Sequence, residues 1–410
     1  MTFSFHTLES ALIQTLEIPE VKADAQRCHA RIVLEYIDLE NQSKPLTIHT
    51  GNTAENLIVL KANAAVWGNV FSQIPPVGFQ SIGALRRQCP EFSITGADQV
   101  IAQCLPFLER LLNTWRHVLN PQEIAEISWD GLENVRGSYL RAGSQKNYWM
   151  YQEQAGLTNG PALLMLHTAG ADSRQWHGLM CDAKLQSQWS LHSFDLPGHG
   201  KSPLPPGHSN WNWRLTEADY LKWVIDYMDA AGIQKAVVMG CSMGAAIGLA
   251  LMAKYPERLI GGVLLETPYR SPGRRSAYLN DSTVHGSRLG AAWVGSLLSP
   301  TSPQKRKDFA TWIYSQAAPS VYDGDLAFYS DDFDARDYTK HIHTEKTPVW
   351  MLTGDYDYSA TPADTLKVCN EIPGSVFVEL KGFGHFPMVE NPQELLPYLE
   401  QPLAELKKRC

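Results

Sequence analysis

The sequence predicts an α/β fold, a mostly parallel sheet with helices on both faces and a lid insertion, preceded by a small α+β unit. Three observations carry this. From about Pro161, short apolar runs alternate with amphipathic helical stretches. Runs such as Ala162-Leu163-Leu164-Met165-Leu166 are continuous rather than alternating, as strands covered on both faces are. Residues 1–118 follow another pattern, short half-buried strands closed by helices.

In the N-terminal unit, 30–39 and 56–61 alternate like half-buried strands, with 46–49 between them. Residues 97–103 and 106–116 read as two closing helices, the second starting at Pro106, where the missing N–H costs nothing. Residues 127–140 and 147–153 read as antiparallel edge strands leading into a core that occupies 119–267 and 339–410. Strands at 189–194, 236–239 and 260–265 are separated by helices at 218–228 and after Ser242. Residues 268–338 break the rhythm. They are rich in Ser, Arg, Pro and Gly and scatter aromatics, as expected of a lid over a site. Alternation resumes at 348–354 and 375–380, and a helix spans 392–408.

A chain of 410 residues, 44% hydrophobic and 19% charged, can bury a large core in two or three units. A net charge of −8 without a long Lys/Arg block argues against nucleic-acid binding. The start lacks a basic segment followed by an apolar run, so no signal peptide is expected. The apolar stretch 236–253 is broken by Ser242 and three glycines, which argues against a membrane span. The seven cysteines are scattered without C-x-x-C pairs, so reduced thiols in a cytoplasmic protein are expected, with no disulfide framework and no metal site. No cofactor is expected. The 12 Trp and 16 Tyr suggest an aromatic-lined cavity.

The chemistry concentrates at Gly240-Cys241-Ser242-Met243-Gly244, where an apolar strand turns sharply into a helix. Glycines two before and two after the serine let strand and helix pass closely, and the turn lifts the hydroxyl clear of the sheet. A serine needs an imidazole beside it, and the imidazole needs a carboxylate to set its tautomer. Later strand ends supply both: Gly354-Asp355-Tyr356-Asp357 and Gly382-Phe383-Gly384-His385. The expected triad is Ser242, Asp357 and His385, with Asp355 and Glu266 as alternative acids. Met243 should give one oxyanion N–H and Thr168 or Ala169 the other. His167 and His199 are expected to shape loops. Trp211, Trp213, Trp293, Trp312 and Tyr314 are candidates for the substrate pocket.

On these residues, about 127–410 resembles the α/β-hydrolase-fold serine hydrolases, of esterase, lactonase or C–C hydrolase kind. The loop Asp195-Leu196-Pro197-Gly198-His199-Gly200-Lys201-Ser202 adds to the likeness. One departure is His167-Thr168-Ala169-Gly170, where many members carry His-Gly. Residues 1–118 resemble the sterol-carrier-protein-2-like fold in the stretches 30–39, 57–61 and 64–71, the turn Pro75-Pro76-Val77-Gly78 and the closing helix. That second resemblance implies an apolar tunnel and lipid carriage, with scaffold, dimer contact or partial cover of the active site as other roles.

The expected function is hydrolysis of a carboxylic ester or lactone of a small apolar or aromatic substrate through an acyl-enzyme. An alternative is C–C bond hydrolysis of a vinylogous 1,5-diketone, with Arg270, Arg274 or Arg275 gripping the substrate carboxylate. A third reading is a ligand-binding or carrier protein with an inactive hydrolase domain. Assembly into a homo-oligomer is left open.

Overall fold

Two sheets organise the chain in the computed structural model, which describes residues 3–38, 40–51, 56–209, 212–318 and 320–410. The smaller contains β1 (Arg31–Ile37), β2 (Ser43–His49), β3 (Leu57–Asn63) and β4 (Ser93–Thr95), in the order β2-β1-β3-β4. Parallel pairing of β1 with β3 sets Ile32 beside Ile58 and Leu34 beside Leu60, all four buried. A slip of one residue would turn that apolar row to solvent, so burial fixes the register.

One long helix, Asp98–Leu119, covers this sheet where two were expected, with Pro106 in its interior. An internal proline costs about 3 kcal/mol. Burial of Ile101, Leu105, Phe107, Leu108, Leu111, Leu112 and Trp115 along the helix outweighs it. Between sheet and helix, Leu34, Leu60, Trp67, Ile82, Leu108, Leu111, Leu112 and Trp115 line a small cavity of about 10 Å³.

Cys28 and Cys104 form a disulfide that joins the entrance of β1 to the long helix, both sulfurs lying in the core. This corrects the expectation of seven free thiols. Scattered spacing carries no signal for a bond that closes across 76 residues. It also removes the argument for a cytoplasmic setting, because disulfides persist where the surroundings are oxidising.

The larger sheet contains β5 (Arg136–Ala142), β6 (Tyr148–Gly156), β7 (Ala162–Leu166), β8 (Ser190–Phe194), β9 (Ala236–Cys241), β10 (Leu259–Leu265), β11 (Val349–Gly354) and β12 (Val376–Leu380). Their order is β12-β11-β10-β9-β7-β8-β6-β5. The strands from β12 to β8 in that order are parallel, and β6 and β5 add antiparallel edges. β7 and β9 are buried at every position, which is why their sequences do not alternate. The chain passes from β7 to β8 on one side and returns to β9 on the other. The loops after β7 and β9 therefore part at a crevice above the strand ends, where open α/β sheets bind ligands.

Between β10 and β11 lie the helices Gly286–Leu297, Gln304–Ser315 and Val321–Leu326 and a π-helical turn Ala327–Asp332. The N-terminal unit docks on this insertion and on the loop after β11. Ser81 Oγ donates to Ser296 O at 2.8 Å, Gln80 Nε2 to Tyr356 O at 3.1 Å, and Tyr356 Oη to Pro75 O at 2.8 Å. Gly83 comes so close that a Cβ there would lie 2.3 Å from the Tyr358 hydroxyl. Among the described residues no helix is long and apolar enough to cross a membrane.

Replacing Cys28 and Cys104 together by Ala is expected to lower stability by roughly 2–4 kcal/mol, read as a shift in the urea midpoint. A midpoint unchanged by this double substitution, or by reductant, would show that the two thiols are unpaired.

Candidate active site

Ser242 sits between β9 and the helix Met243–Lys254 with φ 54° and ψ −113°, a backbone conformation that side chains rarely adopt. Its neighbours make the turn feasible. A Cβ on Gly240 would lie 2.2 Å from Gly244 O, and one on Gly244 would lie 2.4 Å from Leu166 O. The Ser242 N–H is tied to Leu265 O of β10 at 3.0 Å, so the elbow is braced by the neighbouring strand.

The loops after β11 and β12 converge on this serine. His385 Nε2 lies 2.8 Å from Ser242 Oγ, and His385 Nδ1 lies 2.6 Å from Asp357 Oδ2. All three side chains are buried. The N–H groups of Ser359 and Ala360 donate to Asp357 Oδ1 at 2.6 and 3.2 Å. The His385 backbone is held in turn, its N–H donating to Leu297 O at the end of an insertion helix.

The alternative acids lie elsewhere. Asp355 accepts from Gly382 N at 2.9 Å and so shapes the loop that carries the histidine. Glu266 is fully buried behind the triad, where both of its oxygens accept from Gly354 N.

On the side of β7, Thr168 N donates to Gln175 Oε1 at 3.0 Å, which removes Thr168 as an oxyanion donor. The N–H groups of Ala169 and Met243 have no partner among the described residues, and Ala169 lines the same cavity as Ser242. His167 and His199 act on the loops. His167 Nε2 accepts from Leu196 N at 3.1 Å, and burial, with His199 beside it, lowers its pKa to about 4. His199 pairs with buried Asp325 at 2.7 Å. Burial opposes its charged form, but the Asp325 carboxylate outweighs this and raises its pKa. Asp325 also accepts from Gly170 N and Trp213 Nε1, which links the loop after β7 to the insertion.

Residues 161–392, more than half of the chain, match the model of the alpha/beta hydrolase fold family. The chain belongs to that family. It is 25% identical over 253 residues to a pimeloyl-[acyl-carrier protein] methyl ester esterase of Aeromonas salmonicida, covering 58% of this chain and 93% of the relative. A thermophilic esterase from Thermogutta terrifontis superposes with a TM-score of 0.56 at 21% identity, over 66% of this chain and 99% of its own. The enol-lactonase from Burkholderia xenovorans LB400 gives 0.56 at 20% identity, over 66% and 99%. The two superpositions show the fold.

In this α/β hydrolase Ser242 and His385 open into a cavity of about 560 Å³. Trp293 and Tyr314 line it, as expected. Trp213 does not; it is buried beside Trp223, with its indole N–H on Asp325. Trp312 also lies outside, nearly half exposed and stacked on Phe309 under the Arg174 guanidinium. Trp211 falls outside the described residues. Spacing alone could not separate these aromatics, because packing and lining use the same residue types. Partial cover of the site by the N-terminal unit was among the expected roles, but no residue of it was singled out. Arg86, Arg87, Ile101, Leu105 and Glu109 of the N-terminal unit face the same space as Ser242.

Glu266, Asp357 and His385 bring ligand-type atoms within 4.8 Å of one another, and charge decides their states. Burial, with Asp357 beside it, pushes the Glu266 pKa well up, so its carboxyl is held neutral. Burial would also raise Asp357, but the His385 imidazole and the hydrogen bonds to Asp357 outweigh it and keep the pKa low. One carboxylate, Asp357, thus carries the charge that faces the imidazole. A folded-state acid with a raised pKa binds a proton that the unfolded chain releases, so its contribution to stability is lost as pH rises. Glu266→Gln mimics the neutral acid and lacks this loss. As pH rises above the ordinary carboxylate range, its stability is expected to rise relative to wild type. A difference independent of pH would mean that Glu266 is ionised in the folded protein.

Proposed function

We propose that this protein is a serine hydrolase that cleaves a carboxylic ester or lactone of a small apolar or aromatic substrate through an acyl-enzyme. The observation that carries the reading is the relay Asp357–His385–Ser242, with contacts of 2.6 and 2.8 Å at the floor of a large cavity. In the first step Ser242 Oγ attacks the acyl carbon while His385 Nε2 takes its proton. Asp357 holds the imidazole with Nδ1–H towards itself and stabilises the cation that forms. The N–H groups of Met243 and Ala169 receive the developing oxyanion. His385 then returns the proton to the leaving alcohol. Water, deprotonated by the same imidazole, splits the acyl-enzyme. The similarity to a methyl ester esterase and an enol-lactonase supports the ester and lactone classes.

The C–C reading retains one support. Arg270 is paired with Asp334, and Arg275 with Asp323 and Asp331, but Arg274 lines the cavity without an ion pair among the described residues. Turnover of a ring-cleavage dienoate against that of p-nitrophenyl esters separates the two readings, and we expect the esters to win.

Ser242→Ala is expected to lower kcat by roughly 10⁴–10⁶-fold with the fold retained. Asp357→Asn should cost roughly 10³–10⁴-fold, because the amide reverses the hydrogen bond that sets the tautomer. A fluorophosphonate probe should label Ser242 of the wild type. Absence of labelling, together with inertness towards every ester tried, would favour the carrier reading instead.

A further inference from the structure

The cavity has a polarity that an apolar ester does not use. Its charged lining consists of Arg86, Arg87, Arg274 and Arg275 against Asp98 and Glu109. Two of these are spoken for. Arg275 is neutralised by Asp323 and Asp331. Glu109 accepts from the N–H groups of Ile82 and Gly83, and burial raises its pKa to about 7. What remains is three guanidiniums against the single carboxylate of Asp98. Arg87 has neither a hydrogen bond nor an ion pair among the described residues, although it reaches the cavity of the triad. Arg274 makes one long contact, from its Nη2 to Tyr358 O at 3.4 Å, and its buried Nε has no partner. An unpartnered buried guanidinium N–H is costly, and a ligand oxygen would relieve it.

We propose that Arg87 and Arg274 together bind an anionic group on the substrate, a carboxylate or a phosphate, remote from the bond that Ser242 attacks. The two arginines come from different parts of the chain, Arg87 from the helix Ile82–Gln88 of the N-terminal unit and Arg274 from the insertion. Partial burial and the charge of Arg274 push the Arg87 pKa down, as a neighbouring like charge does. An oxyanion between two forked guanidiniums removes that repulsion and takes bidentate hydrogen bonds. The N-terminal unit then selects the substrate by its charged end, a task that the core alone cannot perform because it lacks Arg87. This inference rests on the serine-hydrolase reading for the bond cleaved, but not for the binding itself.

The test has two arms. In Ser242→Ala, calorimetry measures binding of adipate, inorganic phosphate and uncharged dimethyl adipate. An anion should bind at least about tenfold tighter than the dimethyl ester, and the tighter of adipate and phosphate tells which oxyanion fits. Adding Arg87→Met or Arg274→Met should weaken anion binding by roughly ten- to hundredfold, with Arg87→Lys less affected than Arg87→Met. In the active protein, p-nitrophenyl half-esters of dicarboxylic acids of increasing length are compared with the same compounds methylated at the free carboxyl. The free acids should have the higher kcat/KM at one length, and both Met substitutions should erase that ratio. No anion preference in either arm would overturn the proposal, and so would a preference that both Met variants keep with their urea midpoints unchanged. If a Met variant fails to fold, the wild-type ratio and the Ser242→Ala titration still decide. If no ester is cleaved and Ser242 resists labelling, the hydrolase reading falls while the calorimetry continues to judge the anion site.

Discussion

The positive φ of Ser242 is the constraint on which the rest of the site depends. Holding a side-chain-bearing residue there costs on the order of 1–3 kcal/mol, and the conformation persists only if its surroundings over-determine it. Several contacts do so at once. The N–H of Ser242 is claimed by β10, its carbonyl starts the helix through Ala246 N, and Gly240 and Gly244 leave no room for the turn to relax outwards. The hydroxyl is thereby pointed at a place that loops from β7, β11 and β12 can all reach. Because these strands run parallel to β9, with β7 beside β9 and β11 and β12 following β10, their ends arrive on one edge. Sheet topology, rather than local sequence, brings side chains 143 positions apart into contact.

Burial then sets a second problem, since carboxyl groups crowd the imidazole. Were Glu266 and Asp357 both ionised, each would raise the other's pKa and compete for the charge of His385. The protein resolves this by giving the two different partners. Asp357 receives two backbone N–H groups and the imidazole, whereas Glu266 receives only the N–H of Gly354 in a site that excludes water. Burial and the charge of Asp357 push Glu266 up, while the His385 imidazole and then the hydrogen bonds hold Asp357 down. Glu390 follows a similar logic nearby. It ties Phe386 N, directly after the histidine, to Ser299 N of the insertion, so the loop is clamped from the side away from the serine.

The sequence was most legible where one physical cause dominates. Uninterrupted apolar runs reported the parallel sheet because nothing but burial on both faces produces them. The elbow, the acid loop and the histidine loop were readable because glycines mark backbone that must approach closely or turn. Legibility failed where two causes compete. Thr168 looked equivalent to Ala169 until the Gln175 side chain claimed its N–H. Pro106 looked like a helix start because a local penalty is visible in sequence and the tertiary burial that overrides it is not. The pairing of Cys28 with Cys104 and the separation of Trp213 from Trp293 depend on distances that no spacing encodes.

The N-terminal unit poses the hardest case, because its contribution to the site is carried by its position rather than by any motif. The two solved relatives named above match nearly their whole length within about two thirds of this chain, so the fold they share does not require it. Yet it is not a loosely tethered appendage. Its helix Ile82–Gln88 packs through Gly83 onto Tyr358, one residue from the acid of the triad, and Gln80 bonds the same loop. It turns one face into the cavity of the larger sheet, presenting Arg86 and Arg87, which make no pairs among the described residues. On the serine-hydrolase reading proposed above, closing one side of the cavity with arginine side chains would change which molecules reach Ser242, since an oxyanion meets two forked guanidiniums there and a neutral group does not.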